Sequence, residues 1–467
     1  MRDQTAWPPE PRGEPPEDGR AHWAGEEIMD PRLREQVVLA KLRGQIDYAW
    51  ERSPFYRQLW SDAGVSPDDL EELADLARFP FVTKDALRAD QEANPPFGSN
   101  VCCDPGQIAR IHGSSGTTGR PTLFVLSCDD WARIGAAHAR IMWGFGVRPS
   151  DTLFIGSYFS LYLGSWGALA GAQVLGAAVL PFGAGVPGQT ERALELIDAV
   201  QPTIFYGTPS YALHLARTAA SAGYDSAALG FRVMFFSGEP GAGIPSTKHR
   251  IEELFGAACI DTGSMAEMTP WMTNAECGER TGMHLWEDIV YTEIVDPEDG
   301  VPLQADGEGV PVYTHLERTS QPMIRLYSGD VTYVTSDPCP CGRTYRRLPR
   351  GVYGRVDDML IVRGVNVYPS AIEDALAIVP GVGSEYRIVV ERPEELDVLT
   401  LRVEAADSGA SALVRDSVKL ATGITPVVEV LPPATLPTTE FKSRRVEDRR
   451  HAASEVIPVE VGPQPGR

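Results

Sequence analysis

Residues His112 to Pro121 read His-Gly-Ser-Ser-Gly-Thr-Thr-Gly-Arg-Pro. Glycines let backbone N–H groups converge on one point, and the hydroxyls of Ser114, Ser115, Thr117 and Thr118 with the Arg120 guanidinium add donors, a composition suited to phosphate. It is not a Walker A loop, because Gly119-Arg120-Pro121 leads into an apolar run and not into a helix opened by Gly-Lys-Ser/Thr. An ordinary Ser/Thr/Gly turn has the same composition. A second constellation is Cys277-x6-His284 with Cys339-Pro340-Cys341 far downstream. Three thiols and one imidazole are the count for a closed tetrahedral zinc site, whose role would be to staple two loops, since four protein ligands leave no position for substrate. Neither half is a CxxC, so four ordinary reduced side chains are the alternative.

The chain of 467 residues carries 42 Lys and Arg against 64 Asp and Glu, a net charge of −22. That field repels phosphate backbones and anionic lipid, which makes nucleic acid and membrane surfaces poor partners. An anionic ligand has to be held by a few local donors. Seven cysteines are too few for a disulfide scaffold and fit reduced thiols in the cytoplasm. Cys102-Cys103 are expected to be free. The opening stretch to Arg20 has no apolar segment, so it reads as neither a signal nor a transit peptide but as a disordered, acidic, Pro-rich tail.

The elements that must position these groups follow from apolar spacing. Residues 31–63 have a helical pattern ending in SPFYRQLW. Short β-branched or aromatic runs at 151–156, 203–208 and 232–238, with a helix at 190–200 between two of them, predict a mainly parallel sheet covered on both faces. Residues 164–183 read as a buried helix running into a buried strand. Ser127 and Asp130 make a capping box for a helix at Trp131. After Arg355 the units shorten, with a helix opened by Pro369, which predicts a small α+β domain. The domains expected are a tail at 1–28, a large domain at 29–355, a small one at 356–448 and a tail at 449–467.

SSGTTGRPT, RLYSGD (325–330), GRVDDMLIVRGVNVYPSAIE (354–373) and LPTTEFKSRRV (436–446) resemble, in order, the phosphate loop, Thr-Gly-Asp element, hinge and catalytic-lysine element of the adenylate-forming enzymes, the acyl-CoA synthetase superfamily. ERSPFYRQLWSDAGV, RIHGSSGTTGRPT, GTPSYALHLA and ECGERTGMHLWED are similar to its phenylacetate–CoA ligase branch. The resemblance covers residues 30–450. It implies an α/β fold, with a large adenylate-forming domain of mainly parallel sheets and a small mobile α+β domain. The implied reaction is attack of an aromatic carboxylate on the α-phosphate of ATP, with Mg²⁺, followed by transfer of the acyl group to coenzyme A. Transfer to a carrier-protein thiol or an amine is the alternative acceptor, and a catalytically silent nucleotide- and zinc-binding protein is the alternative of another class. Homodimers are frequent among the resembled ligases.

Residue by residue, the resemblance implies that Ser114, Ser115, Gly116, Thr117, Thr118, Gly119 and Arg120 hold phosphate. Gly238, Glu239 and Pro240 line adenine. Asp330 accepts from the ribose hydroxyls, a task for an acceptor-only group. Arg355 reaches ribose and phosphate, Asp357 is the pivot of the small domain, Gly364 lets the pantetheine arm pass, and Lys442 is the ammonium between carboxylate and α-phosphate. Glu267 is the Mg²⁺ ligand. Some members of the branch carry a set matching Cys277, His284, Cys339 and Cys341, which favours zinc there. The chain departs from the branch at Gly263, where an aromatic is usual, at Ala266, where a hydroxyl is usual, and at Phe441, where Gly is common. The acyl pocket is expected at Tyr158, Phe159, Tyr162 and Gly263, near Trp166. A carboxylate nucleophile is already ionised and needs no base, so His112 is assigned to packing or hydrogen bonding.

Overall fold

The structure, a computed structural model, describes the chain apart from residues 1–6, 9–13, 18–19, 115–120, 162, 184–187, 264, 269–272, 357–358, 364, 394–395, 408, 438–444 and 451–467. It divides into two compact units, Met1–Asp357 and Asp358–Arg467.

The first unit is built on a sheet whose parallel part has the spatial order Ala178–Leu180, Thr152–Ile155, Ile204–Gly207, Val233–Phe236, Ala258–Gly263. Three antiparallel strands, Asn274–Glu276, Met283–Leu285 and Arg347–Leu348, extend it. Alternate side chains leave a strand on opposite faces, and both faces here are covered. Leu153, Ile155, Ile204, Tyr206, Val233 and Phe235 pack with helices Cys128–Gly144 and Gly164–Leu175. Phe154, Phe205, Met234 and Phe236 pack with helices Thr190–Val200, Pro209–Ser221 and Pro245–Phe255. Double coverage is why these strands are apolar throughout instead of alternating.

A second sheet pairs Val290–Val295, Gly307–His315, Asp330–Val334 and Val352–Arg355 in antiparallel succession. Helices Pro31–Arg52 and Pro54–Asp62 share a core with its Val290 and Tyr313. Ile108–Gly113 and Leu123–Ser127 form a separate antiparallel hairpin.

Four expectations change. The helical stretch at 31–63 is two helices, because Pro54 has no N–H to donate and takes the first position of a new helix, capped by Ser53 accepting from Tyr56 N–H at 3.2 Å. The helix expected at Trp131 begins at Cys128, with Ser127 as its cap. The strand after helix Gly164–Leu175 is the sheet's edge and is partly exposed, not buried. The described end of the 1–28 tail is packed: Glu27 is 0% exposed and pairs with Arg140 at 3.0 Å and Arg343 at 2.7 Å, while Trp23 meets Trp143 edge-on. A buried carboxylate between two guanidiniums is held by charge-assisted hydrogen bonds.

In the second unit Leu360–Val362 and Val365–Val367 form a hairpin. A four-stranded sheet runs Val427–Leu431, Val398–Ala405, Val382–Glu391, Val446–Asp448. Helices Pro369–Ala377 and Ala410–Thr422 share a core with it through Ile372, Leu376, Val414, Val418, Ile388 and Leu401. Among the described residues no helix is long and apolar enough to cross a membrane.

Candidate active site

The hairpin strands are tied together where the Gly/Ser/Thr segment leaves and rejoins them. Ser114 N–H donates to Thr122 O at 3.0 Å, and Thr122 N–H donates to Ser114 Oγ at 3.0 Å. Ser115, Gly116, Thr117, Thr118, Gly119 and Arg120 lie outside the described residues, as do Tyr162, Asp357, Gly364 and Lys442.

Ligands of open α/β sheets bind beyond the carboxyl ends of the parallel strands, and there the candidate adenine residues sit. Glu239 Oε1 accepts from Ser210 N–H at 2.6 Å, Tyr206 and Ser237 hydroxyls meet at 2.8 Å, and Thr262 Oγ1 donates to Phe236 O at 2.6 Å. Three strand ends are thereby tied together. Gly238, at φ +92°, makes the turn after Phe236 in a conformation that favours glycine. Asp261 is buried nearby, its Oδ2 2.7 Å from where a Cβ would stand on either Gly243 or Gly351. Burial, and then the neighbouring Glu276, push its carboxyl up to about 7. Glu276 is itself paired with Lys248 at 2.5 Å.

Asp330 and Arg355 are cross-strand partners whose side chains pair at 3.1 Å, both partly exposed. Gly329, at φ +73°, turns the chain into Asp330, whose N–H donates to Ser328 Oγ at 3.0 Å. Glu267 is buried at 3% exposure, and its backbone carbonyl accepts from Arg318 at 3.0 Å. An enclosed carboxylate is the hard oxygen donor that Mg²⁺ takes. A partly exposed acid beside a guanidinium likewise has the donors and acceptors that a ribose phosphate needs.

Gly263, where an aromatic is usual in the resembled branch, ends strand Ala258–Gly263. It pairs in register with Asn274, whose side-chain amide nitrogen lies 2.9 Å from where a Gly263 Cβ would be. The other end of that amide meets Thr273 Oγ1 at 2.6 Å and Tyr313 OH at 3.3 Å. Sequence reading missed Asn274, since nothing in its spacing announces a partner across the sheet. The loop after strand Thr152–Ile155 carries the candidate acyl residues: Ser165 Oγ donates to Ser157 O and Tyr158 O at 3.0 and 2.9 Å, and Phe159 packs edge-on against Trp166 at 4.9 Å.

Cys277, His284, Cys339 and Cys341 come together, their ligand atoms all within 4.8 Å of one another. Tetrahedral zinc with Zn–S of about 2.3 Å and Zn–N of about 2.0 Å puts sulfurs about 3.8 Å apart and sulfur about 3.5 Å from nitrogen. Cys277 and Cys339 Sγ are 3.8 Å apart, and Cys341 Sγ is 3.4 Å from His284 Nε2. The four residues fit that metal. None of the seven cysteines is in a disulfide.

The chain is similar to known proteins over most of its length. The AMP-binding enzyme family matches residues 61–312 and the AMP-binding enzyme C-terminal domain residues 364–450. Phenylacetate-coenzyme A ligase of Thermus thermophilus is 35% identical over 88% of this chain and 95% of its own length, and that of Escherichia coli 36% over 88% and 94%. Among solved structures, 2-hydroxyisobutyryl-CoA ligase in the postadenylation state with R3-HIB-AMP is 45% identical at a TM-score of 0.91, covering 96% of this chain and 97% of its own. An open conformation of that ligase, with 2-HIB-AMP and CoA, is 46% identical at 0.77 over 96% and 98%. The chain belongs to the AMP-binding, adenylate-forming enzymes.

Proposed function

We propose that the protein activates a carboxylic acid with ATP, releasing pyrophosphate, and passes the acyl group from the acyl-adenylate to coenzyme A. What supports this reading is that Ser114 and Thr122 at the ends of the Gly/Ser/Thr segment, the Asp330–Arg355 pair and the buried Glu267 belong to one unit, in a chain 45% identical to a ligase captured with its acyl-AMP.

Negative charge builds around the α-phosphoryl group as the carboxylate attacks, so placed donors and a metal supply most of the stabilisation. In this reading Ser114 to Arg120 hold phosphate, Gly238 to Pro240 line the base, and Asp330 and Arg355 hold the ribose. Glu267 holds Mg²⁺, which would screen the phosphate charge. Lys442 serves adenylation, Asp357 is the pivot, Gly364 admits pantetheine, and Tyr158, Phe159 and Tyr162 meet the acid. Cys277, His284, Cys339 and Cys341 hold a structural zinc.

The acyl group is read as aromatic, supported by the phenylacetate ligases at 33–36% identity and the aromatic loop. A second reading, a short branched 2-hydroxy acid, is favoured by the 45–47% identity to 2-hydroxyisobutyryl-CoA ligase. Pyrophosphate release across aromatic and short 2-hydroxy acids, with and without coenzyme A, tests both. Acid-dependent release with thioester formed only when coenzyme A is present supports the reaction. Release that neither quickens with coenzyme A nor yields a thioester points to a carrier-protein or amine acceptor, and ATP binding with no release from any acid points to a silent binding protein.

A further inference from the structure

The candidate phosphate loop hangs from the hairpin and the candidate acyl loop from the eight-stranded sheet, so hydrogen bonds of the sheets themselves do not set one against the other. One carbonyl joins them. Leu161 O accepts from Gly113 N–H at 3.1 Å and from His112 Nδ1–H at 3.2 Å. The other ring nitrogen, Nε2, lies 3.1 Å from Arg110 Nε. A guanidinium N–H only donates, so Nε2 carries the lone pair and Nδ1 the proton. Arg110 is in turn held between Trp131 at 4.1 Å and Trp166 at 4.7 Å, and the Trp166 indole N–H donates to Ser160 O at 2.9 Å. Trp131 also stacks on the His112 ring, with 13° between their planes. Strand alternation puts Arg110 and His112 on one face of Ile108–Gly113, which is what lets one set the tautomer of the other.

We propose that Arg110 and His112 are positioning residues for adenylation, fixing the backbone at Ser160 and Leu161 so that the acid is presented to the phosphate loop. The proposal rests on the adenylating function proposed above. Neither residue touches the reacting atoms. His112 works as a neutral donor: burial first, then Arg110 and Arg318, hold its pKa down at about 4. An error of about 1 Å in the approach of two reacting groups costs about a hundredfold in rate, and that is the size of effect such a clamp controls.

The test compares His112→Leu, which keeps bulk without a donor, with His112→Asn, whose amide N–H reaches the Nδ1 position, and with Arg110→Gln. Pyrophosphate release is expected to fall about tenfold to a hundredfold in kcat for His112→Leu, with KM for ATP within about twofold, and to recover in His112→Asn. Thioester formation from supplied acyl-adenylate should survive in all three. In Arg110→Gln the cation between the two indoles is lost, so adenylation should fall in kcat with KM for ATP within about twofold. Equal losses in His112→Leu and His112→Asn, or none in either, overturn the proposal. Should His112→Leu not fold, His112→Gln, which places its amide at the Nε2 position, takes its place and is expected to stay impaired. The ¹⁵N shifts of the His112 ring, assigned by their loss in His112→Asn, read the tautomer without turnover: an Nε2–H ring sinks the clamp even in an active enzyme, whereas an inactive parent protein with an Nδ1–H ring sinks the function and not the clamp.

Discussion

Asp330 and Arg355 stand opposite each other on neighbouring antiparallel strands, and their side chains pair at 3.1 Å. Because both are partly exposed, the pair contributes little to stability. In the proposed function it presents an acceptor and a donor side by side to the ribose. Asp330→Asn should raise KM for ATP by about tenfold to a hundredfold, the worth of hydrogen bonds to a charged group, and leave the unfolding temperature nearly unchanged. Steady-state kinetics beside a melting curve check this, and a large loss of stability with normal ATP affinity would move Asp330 from the site to the scaffold.

The Gly263–Asn274 pair makes a different demand. A Cβ on Gly263 would stand 2.9 Å from the Asn274 amide nitrogen, so Gly263→Ala should cost about 1–3 kcal/mol by overpacking. Asn274→Ala in the same chain should return most of it. Denaturant unfolding of the two single variants and the double variant measures the coupling, and additive costs would show that the two side chains do not share the space.

For the Cys/His cluster, purified protein should hold one zinc per chain by metal analysis. Cys339→Ser with Cys341→Ser should lose the metal and lower the melting temperature, with chelation of the parent protein doing the same. His22 contacts Cys341 O at 2.8 Å and Arg343 pairs with Glu27, so protease cleavage near residue 20 should quicken when zinc is removed. Parent protein free of zinc would remove the basis for all of this.

Much of this architecture was legible in the sequence, and for a physical reason. Strands Ile204–Gly207 and Val233–Phe236 are buried on both faces, so the run is aliphatic and aromatic and stands out. Helix Thr190–Val200 carries its own amphipathic spacing, and Ser127 announces a cap. These signals are local. Glu27 gave no such sign, since an acidic, Pro-rich opening reads as solvated until Arg140 and Arg343 are found beside it. Asn274 was invisible for the same reason: its partner is defined by sheet register. The four candidate zinc ligands were found by residue type despite weak spacing, while their approach to within 4.8 Å needed the fold.

Asp261 supplies a pH prediction. Its carboxyl is raised to about 7 by burial and by Glu276, so between the ordinary carboxylate range and about 7 the folded chain binds a proton that the unfolded chain has released. Stability contributed by Asp261 therefore falls as pH rises through that window and levels off above it. Asp261→Asn removes the dependence: relative to the parent protein it should be more stable at about pH 8 than at about pH 5. Paired unfolding curves at the two pH values check the sign, and a constant difference would mean that Asp261 is ionised throughout.

Whether a carboxylate oxygen attacks the α-phosphate of ATP is read by following that oxygen. With the acid ¹⁸O-labelled in its carboxylate and coenzyme A present, AMP should carry one ¹⁸O, beside unlabelled pyrophosphate and an acyl-CoA thioester. Label found in inorganic phosphate beside ADP, or AMP without label, would contradict it.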